Sequence, residues 1–369
     1  MRYFDEITIM RAFAIMAVIS IHVSGYYTYM SPDNFLAIVY AAIGVFSGFA
    51  VPLFICISGF VLYNKYPDNI NLKNFYKNRL LSVLPPYIIF STIYLFFECM
   101  RTNYILIQKI VYNYLTGGWN YSYWFFILII QVYLLYPVII RIFHYCDTRG
   151  RSFELLFFAY ITGVFYNAFV EPDVLILGGT TAPLLGFATT FLGYLFYFIL
   201  GIIVRSRYEQ LMQKPVHQTL LWCFSIPLLC GTIIGIITCF HTNFKFDIIQ
   251  ILPGIGNYWV WLIEMIFPLY FVMIFTLCLI IALSIVSHKP AILGVLEKIG
   301  HYSFGIYLVH LVFLSEIIRW ISRFGYGWNN WLFFPFLFIL TLFFSTLFVE
   351  VIRKFPCGNY IVGSTRQER

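Results

Sequence analysis

Two residues in the first apolar stretch of the sequence, Arg11 and His22, have side chains able to do chemistry inside a membrane-length run. An ionisable group within a membrane span is costly and commonly faces a cavity or a partner, so both are functional candidates. They stand eleven residues apart, and three turns of α-helix take about 10.8 residues. On one helix they would share a face to within roughly 20°, about 16 Å apart along the axis. Arg11 offers a fixed cation able to make bidentate, charge-assisted hydrogen bonds with an anion. His22 offers an imidazole that titrates near neutrality and can act as base or nucleophile. Each alone has a plainer reading, Arg11 as an anchor reaching the headgroups and His22 as a hydrogen-bonded packing residue. Their common face favours the functional one.

The elements that must hold this pair are membrane helices. The 369 residues are 61% hydrophobic, 21% aromatic and 11% charged, whereas a soluble domain carries roughly 25% charged residues. The apolar residues fall in runs long enough to cross a hydrocarbon core of about 30 Å as helices. The alternation that a membrane barrel needs is missing. An all-α, polytopic transmembrane helical bundle of about ten spans is therefore expected. The spans fall near Ile7–Tyr26, Ala37–Tyr63, Val83–Phe97, Tyr123–Phe143, Phe153–Val170, Phe187–Val204, Gln218–Phe240, Tyr258–Val286, Ser303–Trp320 and Trp331–Ile352. The segment Ile105–Tyr114 is weakly amphipathic and is expected along the interface.

Charge sets the orientation. With the N-terminus in the cytoplasm, eighteen of the 23 Lys and Arg residues fall on the inner side. Only Arg101, Lys109, Lys245, Arg319 and Arg323 fall outside, so the positive-inside rule puts both termini in the cytoplasm. Arg11 then sits near the inner surface and His22 deeper, toward the outer half. The net charge of +7 belongs to these loops and to anionic lipid headgroups, not to a nucleic-acid partner. Tyr and Trp near the span ends, Trp119, Trp259 and Trp331 among them, fit an aromatic belt. The eight cysteines form no C-x-x-C pair, which argues against a zinc site or disulfide framework and for small apolar packing residues. Residues 1–369 read as one membrane domain without internal repeats or broken helices in corresponding halves.

Secondary candidates are weaker. His310, late in the ninth span, is a candidate to face the same cavity as His22, with Tyr307 three residues before it. Trp124 could stack on a sugar ring, though the aromatic belt also accounts for it. Ser58-Gly59 reads as close helix packing rather than a nucleophile. Glu98, Glu264 and Glu316 fall toward outer ends, where solvation accounts for them. Gly178-Gly179 is a turn, since no phosphate-loop pattern surrounds it.

The segment Ile9-Met10-Arg11-Ala12-Phe13-Ala14 with His22 resembles the Arg-x10-His signature of the acyltransferase 3 family of membrane-bound O-acyltransferases. The resemblance continues through Val51-Pro52-Leu53-Phe54 with Ser58-Gly59-Phe60, then Phe75 to Arg79 as a basic loop entering the third span, and Leu84-Pro85-Pro86-Tyr87. It resumes at Tyr123-Trp124-Phe125 and at Ile299-Gly300, Tyr302-Ser303, Gly305, Tyr307-Leu308 and His310. No one piece is specific; their order along nearly the whole chain is. Where the family often carries two adjacent arginines, this chain reads Lys77-Asn78-Arg79.

The resemblance implies a multi-pass protein of a bacterial plasma membrane that moves an acetyl or succinyl group. The donor would be cytoplasmic acyl-CoA, a substrate rather than a bound cofactor, and no metal is expected. The acceptor would be a hydroxyl of a cell-surface polysaccharide or its lipid-linked precursor. The short all-membrane form and the region from Gly118-Trp119 to Tyr123-Trp124 resemble proteins that acylate extracellular polysaccharides such as poly-N-acetylglucosamine. On this reading Arg11 and Arg79 bind acyl-CoA, His22 is catalytic, and Trp124, Tyr307 and His310 line the cavity. Whether His22 removes the acceptor's proton or carries the acyl group itself stays open. Without a fused hydrolase-like domain, the membrane domain is expected to deliver the acyl group unaided. The competing class is an exporter or flippase of a glycan that makes no bonds, for which a CoA-binding cation has no evident use.

Overall fold

In the computed structural model, the residues described are 4–30, 35–68, 70–101, 106–120, 122–167, 190–212, 255–323 and 330–363. Their elements are helical throughout. In chain order they are α1 (Asp5–Met30), α2 (Phe35–Phe46), a 3₁₀ turn (Ser47–Phe49), α3 (Ala50–Lys65), α4 (Leu72–Arg101) and α5 (Ile107–Thr116). Then follow α6 (Trp124–Asp147), α7 (Ser152–Phe165), α8 (Phe191–Ser206) and α9 (Tyr208–Met212). The last are α10 (Ile255–His288), α11 (Leu293–Ser322), α12 (Phe333–Arg353) and α13 (Gly358–Ile361). Seven spans among them are long and apolar enough to cross a membrane, and Ser152–Phe165 and Phe191–Ser206 are shorter apolar helices. Nine of the ten expected spans thus meet a helix; Gln218–Phe240 and the Gly178-Gly179 turn lie outside the described residues. The chain is an all-α, multi-pass membrane protein.

The described residues gather in two compact units, one holding Ser58–Ser206 and Ile352–Arg369, the other Arg2–Ile57 and Arg207–Val351. In the second unit α1 is the centre, packed along α2, α10 and α11. Its residues Ile9, Met10, Ala12, Ala14, Ile15 and Ile19 are fully buried, as expected of a helix apolar on all sides. The small side chains Ala12, Ala14 and Ala17 let neighbours come close. The closest approach falls at Gly300 of α11, where an added Cβ would lie 2.0 Å from the Thr8 carbonyl oxygen. Contacts further along both helices show that α1 and α11 run in the same direction.

In the first unit α6 packs against α4, α5, α7 and α8. Gly59 serves the close packing expected of it, since a Cβ there would meet the Phe198 carbonyl oxygen at 2.2 Å. The amphipathic segment forms α5 and ends at Gly117, whose φ of 76° is a left-handed helix cap that suits glycine. Cys56 and Cys278 are buried as small apolar residues, whereas Cys99 and Cys357 are exposed.

Two sequence expectations are corrected. The basic residues before the third span are not in a loop. They lie on α4, which starts at Leu72, with Lys73 and Lys77 exposed and Phe75, Val83, Pro86, Tyr87 and Phe90 turned inward. A helical stripe of apolar residues carries that helix past the end of the hydrophobic run. The second span is also interrupted, at the 3₁₀ turn Ser47–Phe49. Pro52 has no N–H to give the Gly48 carbonyl four residues back, which disfavours a regular α-helix there. The Phe46 carbonyl at this break accepts a hydrogen bond from the Tyr270 hydroxyl.

Candidate active site

The site starts with α1. Arg11 and His22 both lie on this single helix and are partly exposed, while Met10, Ala12 and Val23 beside them are buried. Their spacing along the axis is the expected three turns, about 16 Å.

Against His22 stands His310 of α11. The two imidazoles are 5.1 Å apart between ring centroids and tilted by 43°. His310 is completely buried. Its Nδ1 lies 2.8 Å from the carbonyl oxygen of Tyr307, one turn earlier on the same helix. A carbonyl only accepts, so Nδ1 is the nitrogen that carries hydrogen. In the neutral ring this leaves Nε2 as a lone-pair acceptor, and that atom is buried with no hydrogen-bond partner among the described residues. The Tyr307 ring is 5.5 Å from His310 and meets Phe54 edge-on at 6.4 Å. Three of the residues singled out in the sequence, His22, Tyr307 and His310, therefore come together.

Arg79 and Trp124 belong to the other compact unit. The Arg79 guanidinium lies 5.2 Å from the Tyr66 ring centroid, within range of a cation–π attraction. Its Nη2 donates a long hydrogen bond of 3.4 Å to the Tyr66 hydroxyl, and its Nε is buried without a partner among the described residues. Tyr66 lies in the connection between α3 and α4. Burial pushes its phenol up, but hydrogen bonding and charge from Arg79, helped by Lys65, outweigh this and leave it below the ordinary tyrosine value. Lys73 and Lys77 are exposed. Trp124 is half-buried and lies 5.7 Å from Tyr194 between ring centroids.

Other polar residues have structural partners. Glu98 pairs with Lys109 at 3.0 Å, and Glu316 with Arg319 at 2.9 Å. Sequence reasoning missed two contacts. Glu6, buried at the start of α1, accepts a hydrogen bond from the Tyr208 hydroxyl, and the Tyr208 ring meets Phe4 edge-on at 5.0 Å. Lys298 pairs with Glu350 at 2.8 Å. Glu6 stands in the sequence as an acidic residue at the start of the first apolar run. The Tyr208 partnership, some two hundred residues away, carried no signal.

The described residues form an apolar helical bundle in which the imidazoles of α1 and α11 meet. The chain belongs to the acyltransferase 3 family, whose model, described as an acyltransferase domain, matches residues 4–350. It is thus a membrane acyltransferase. It is also 26% identical over 320 residues to proteins of Staphylococcus aureus strains MSSA476 and N315, each named "Probable poly-beta-1,6-N-acetyl-D-glucosamine export protein". The match covers 85% of this chain and 82% of those relatives. No solved structure matches.

Proposed function

We propose that the protein transfers an acetyl or succinyl group from cytoplasmic acyl-CoA to a hydroxyl of a cell-surface polysaccharide, or of its lipid-linked precursor, at the cell membrane. The observation that carries this reading is His22, half-open on the same face of α1 as Arg11 and backed by His310 in an acyltransferase family member. Arg11, at the cytoplasmic end, pairs with phosphates of coenzyme A by charge-assisted hydrogen bonds. The extended pantetheine arm then carries the thioester along the helix toward His22. Arg79 is the second residue we assign to the donor's phosphates, its buried Nε–H without a partner among the described residues.

At His22 the acceptor hydroxyl gives its proton to a ring nitrogen as its oxygen attacks the thioester carbonyl. The C–O bond forms, the C–S bond breaks, and the proton passes to the departing thiolate to give free coenzyme A. In the covalent variant, His22 nitrogen attacks first, coenzyme A leaves as the thiolate from a cationic acyl-imidazolium, and the hydroxyl then takes the acyl group from the ring while its proton passes to the thiolate. Both routes use the same residues, and Arg11 and His22 support them equally. The relatives named for poly-β-1,6-N-acetylglucosamine favour a polymer of N-acetylglucosamine as the acceptor.

Those names also give the second reading, export of a glycan without bond chemistry. Purified protein in nanodiscs, given radiolabelled acyl-CoA and an N-acetylglucosamine oligomer, separates the two. Acyl-CoA consumption with label on the oligomer is expected. Movement of the oligomer across vesicle membranes with no acyl-CoA consumed would overturn the proposal in favour of export.

A further inference from the structure

The acyltransferase reading assigns His22 its chemistry but leaves His310 unexplained, a fully buried histidine in a membrane helix. Its Nδ1–H is tied to the Tyr307 carbonyl, and its Nε2 lone pair has no donor among the described residues. A buried acceptor left without a partner costs about 1–3 kcal/mol, so its retention needs a reason. The neighbour across the gap is His22. A ring nitrogen lies about 1.15 Å from its own centroid, so an in-line N–H···N bond of about 2.9 Å needs centroids about 5.2 Å apart. The observed spacing is 5.1 Å. The bond needs the His22 ring to turn about its soft terminal torsion until an N–H lines up with Nε2.

We propose that His310 is the positioning residue of His22, its Nε2 accepting the N–H of one His22 nitrogen so that the other His22 nitrogen faces the substrate as a lone pair. The assignment rests on the acyltransferase reading for its purpose, but not for its geometry. The chain of contacts runs from the Tyr307 carbonyl to His310 Nδ1–H, and from His310 Nε2 to His22 N–H. It fixes two tautomers from one backbone carbonyl, the role an orienting group plays behind a metal-bound or catalytic histidine. The division of exposure suits it. His22 is half-buried on α1, whereas His310 is fully buried on α11. When His22 takes the hydroxyl proton, or the acyl group, its ring becomes cationic. The N–H···Nε2 bond then becomes charge-assisted and stronger, which favours the state nearer the transition state. No proton needs to leave His310.

Two near-isosteric substitutions separate this role from simple packing. Asn in His310→Asn places its amide where Nδ1 stood and can keep the Tyr307 bond, but leaves nothing at the Nε2 position. Gln in His310→Gln reaches the Nε2 position and can present an acceptor oxygen there. Expected is a fall in kcat of about a hundredfold for His310→Asn with KM for acyl-CoA unchanged, and recovery to within about tenfold of wild type for His310→Gln. Equal activity of His310→Asn and wild type, or a rank order with Gln below Asn, overturns the proposal.

Two readouts do not need turnover. Carbethoxylation of His22 by diethyl pyrocarbonate, followed by mass spectrometry, should slow in His310→Asn and recover in His310→Gln; equal rates in all three overturn it. In wild type, ¹⁵N shifts of labelled histidine should place the His310 hydrogen on Nδ1, and a hydrogen on Nε2 overturns it whatever the variants do. If the ring readouts hold while wild type consumes no acyl-CoA, it is the acyltransferase reading that fails.

Discussion

Adding one methyl group at Gly300 should disable the enzyme without touching any residue assigned to chemistry. An alanine Cβ at this position would lie 2.0 Å from the Thr8 carbonyl oxygen and 2.9 Å from both its carbonyl carbon and its Cγ2, where ordinary contact begins at 3.4 Å. The obstacle is main chain of α1 and cannot swing aside as a side-chain tip can. The helices must part locally by about 1.4 Å, and overpacking of this kind costs about 1–3 kcal/mol. His310 lies ten residues beyond Gly300, about 15 Å along α11, so part of the displacement reaches the imidazole pair. A misplacement of about 1 Å at a reacting centre can cost roughly a hundredfold in rate.

Gly294, on the same helix, supplies the control, because a Cβ there meets nothing within 4 Å among the described residues. Gly294→Ala should be neutral or stabilise the helix by up to about 1 kcal/mol. Acyl-CoA turnover in nanodiscs and thermal unfolding of both variants are the measurements. Gly300→Ala should lose about tenfold to a hundredfold in kcat and melt lower, with Gly294→Ala like wild type. Matching melting points and rates for the two alanine variants would refute the claim that a backbone contact between α1 and α11 sets the site.

Three further outcomes follow from the same geometry. His22→Ala should reduce turnover by about 10²–10⁴-fold, the usual worth of a positioned acid–base group, with unchanged elution as a folded protein; full turnover would remove His22 from the chemistry. Arg11→Ala should raise the KM for acyl-CoA roughly tenfold to a hundredfold by deleting a charge-assisted bond, and an unaltered KM would remove its donor role. Arg79→Gln should raise the pKa of Tyr66, because the guanidinium that favours the phenolate is gone while burial remains; ¹³Cζ-tyrosine NMR against pH reads the shift, and a downward or absent shift would contradict the contact.

The helices and the α1 pair were legible because both rest on local rules. Hydrophobic run length fixes a span, and three turns of helix align Arg11 with His22 whatever packs around them. His310 was legible only as a candidate. Its place beside His22 depends on α1 and α11 meeting at Thr8 and Gly300, a long-range contact that no local pattern encodes. The 3₁₀ turn at Ser47–Phe49 was missed although Pro52 was plain, since the apolar run reads through it without a pause. The helical start at Leu72 was missed for the opposite reason. Lys73, Lys77 and Arg79 broke the hydrophobic run, while the buried stripe from Phe75 to Phe90 kept the helical period.

The parallel pairing of α1 with α11 also bears on how the protein is made. The ribosome releases His22 with the first span and Tyr307 and His310 only with the ninth, so the imidazole of α1 must enter the bilayer long before its neighbour exists. On the proposed reading, the imidazole pair is absent from the growing chain throughout that interval. It forms only when a late helix docks onto the earliest one.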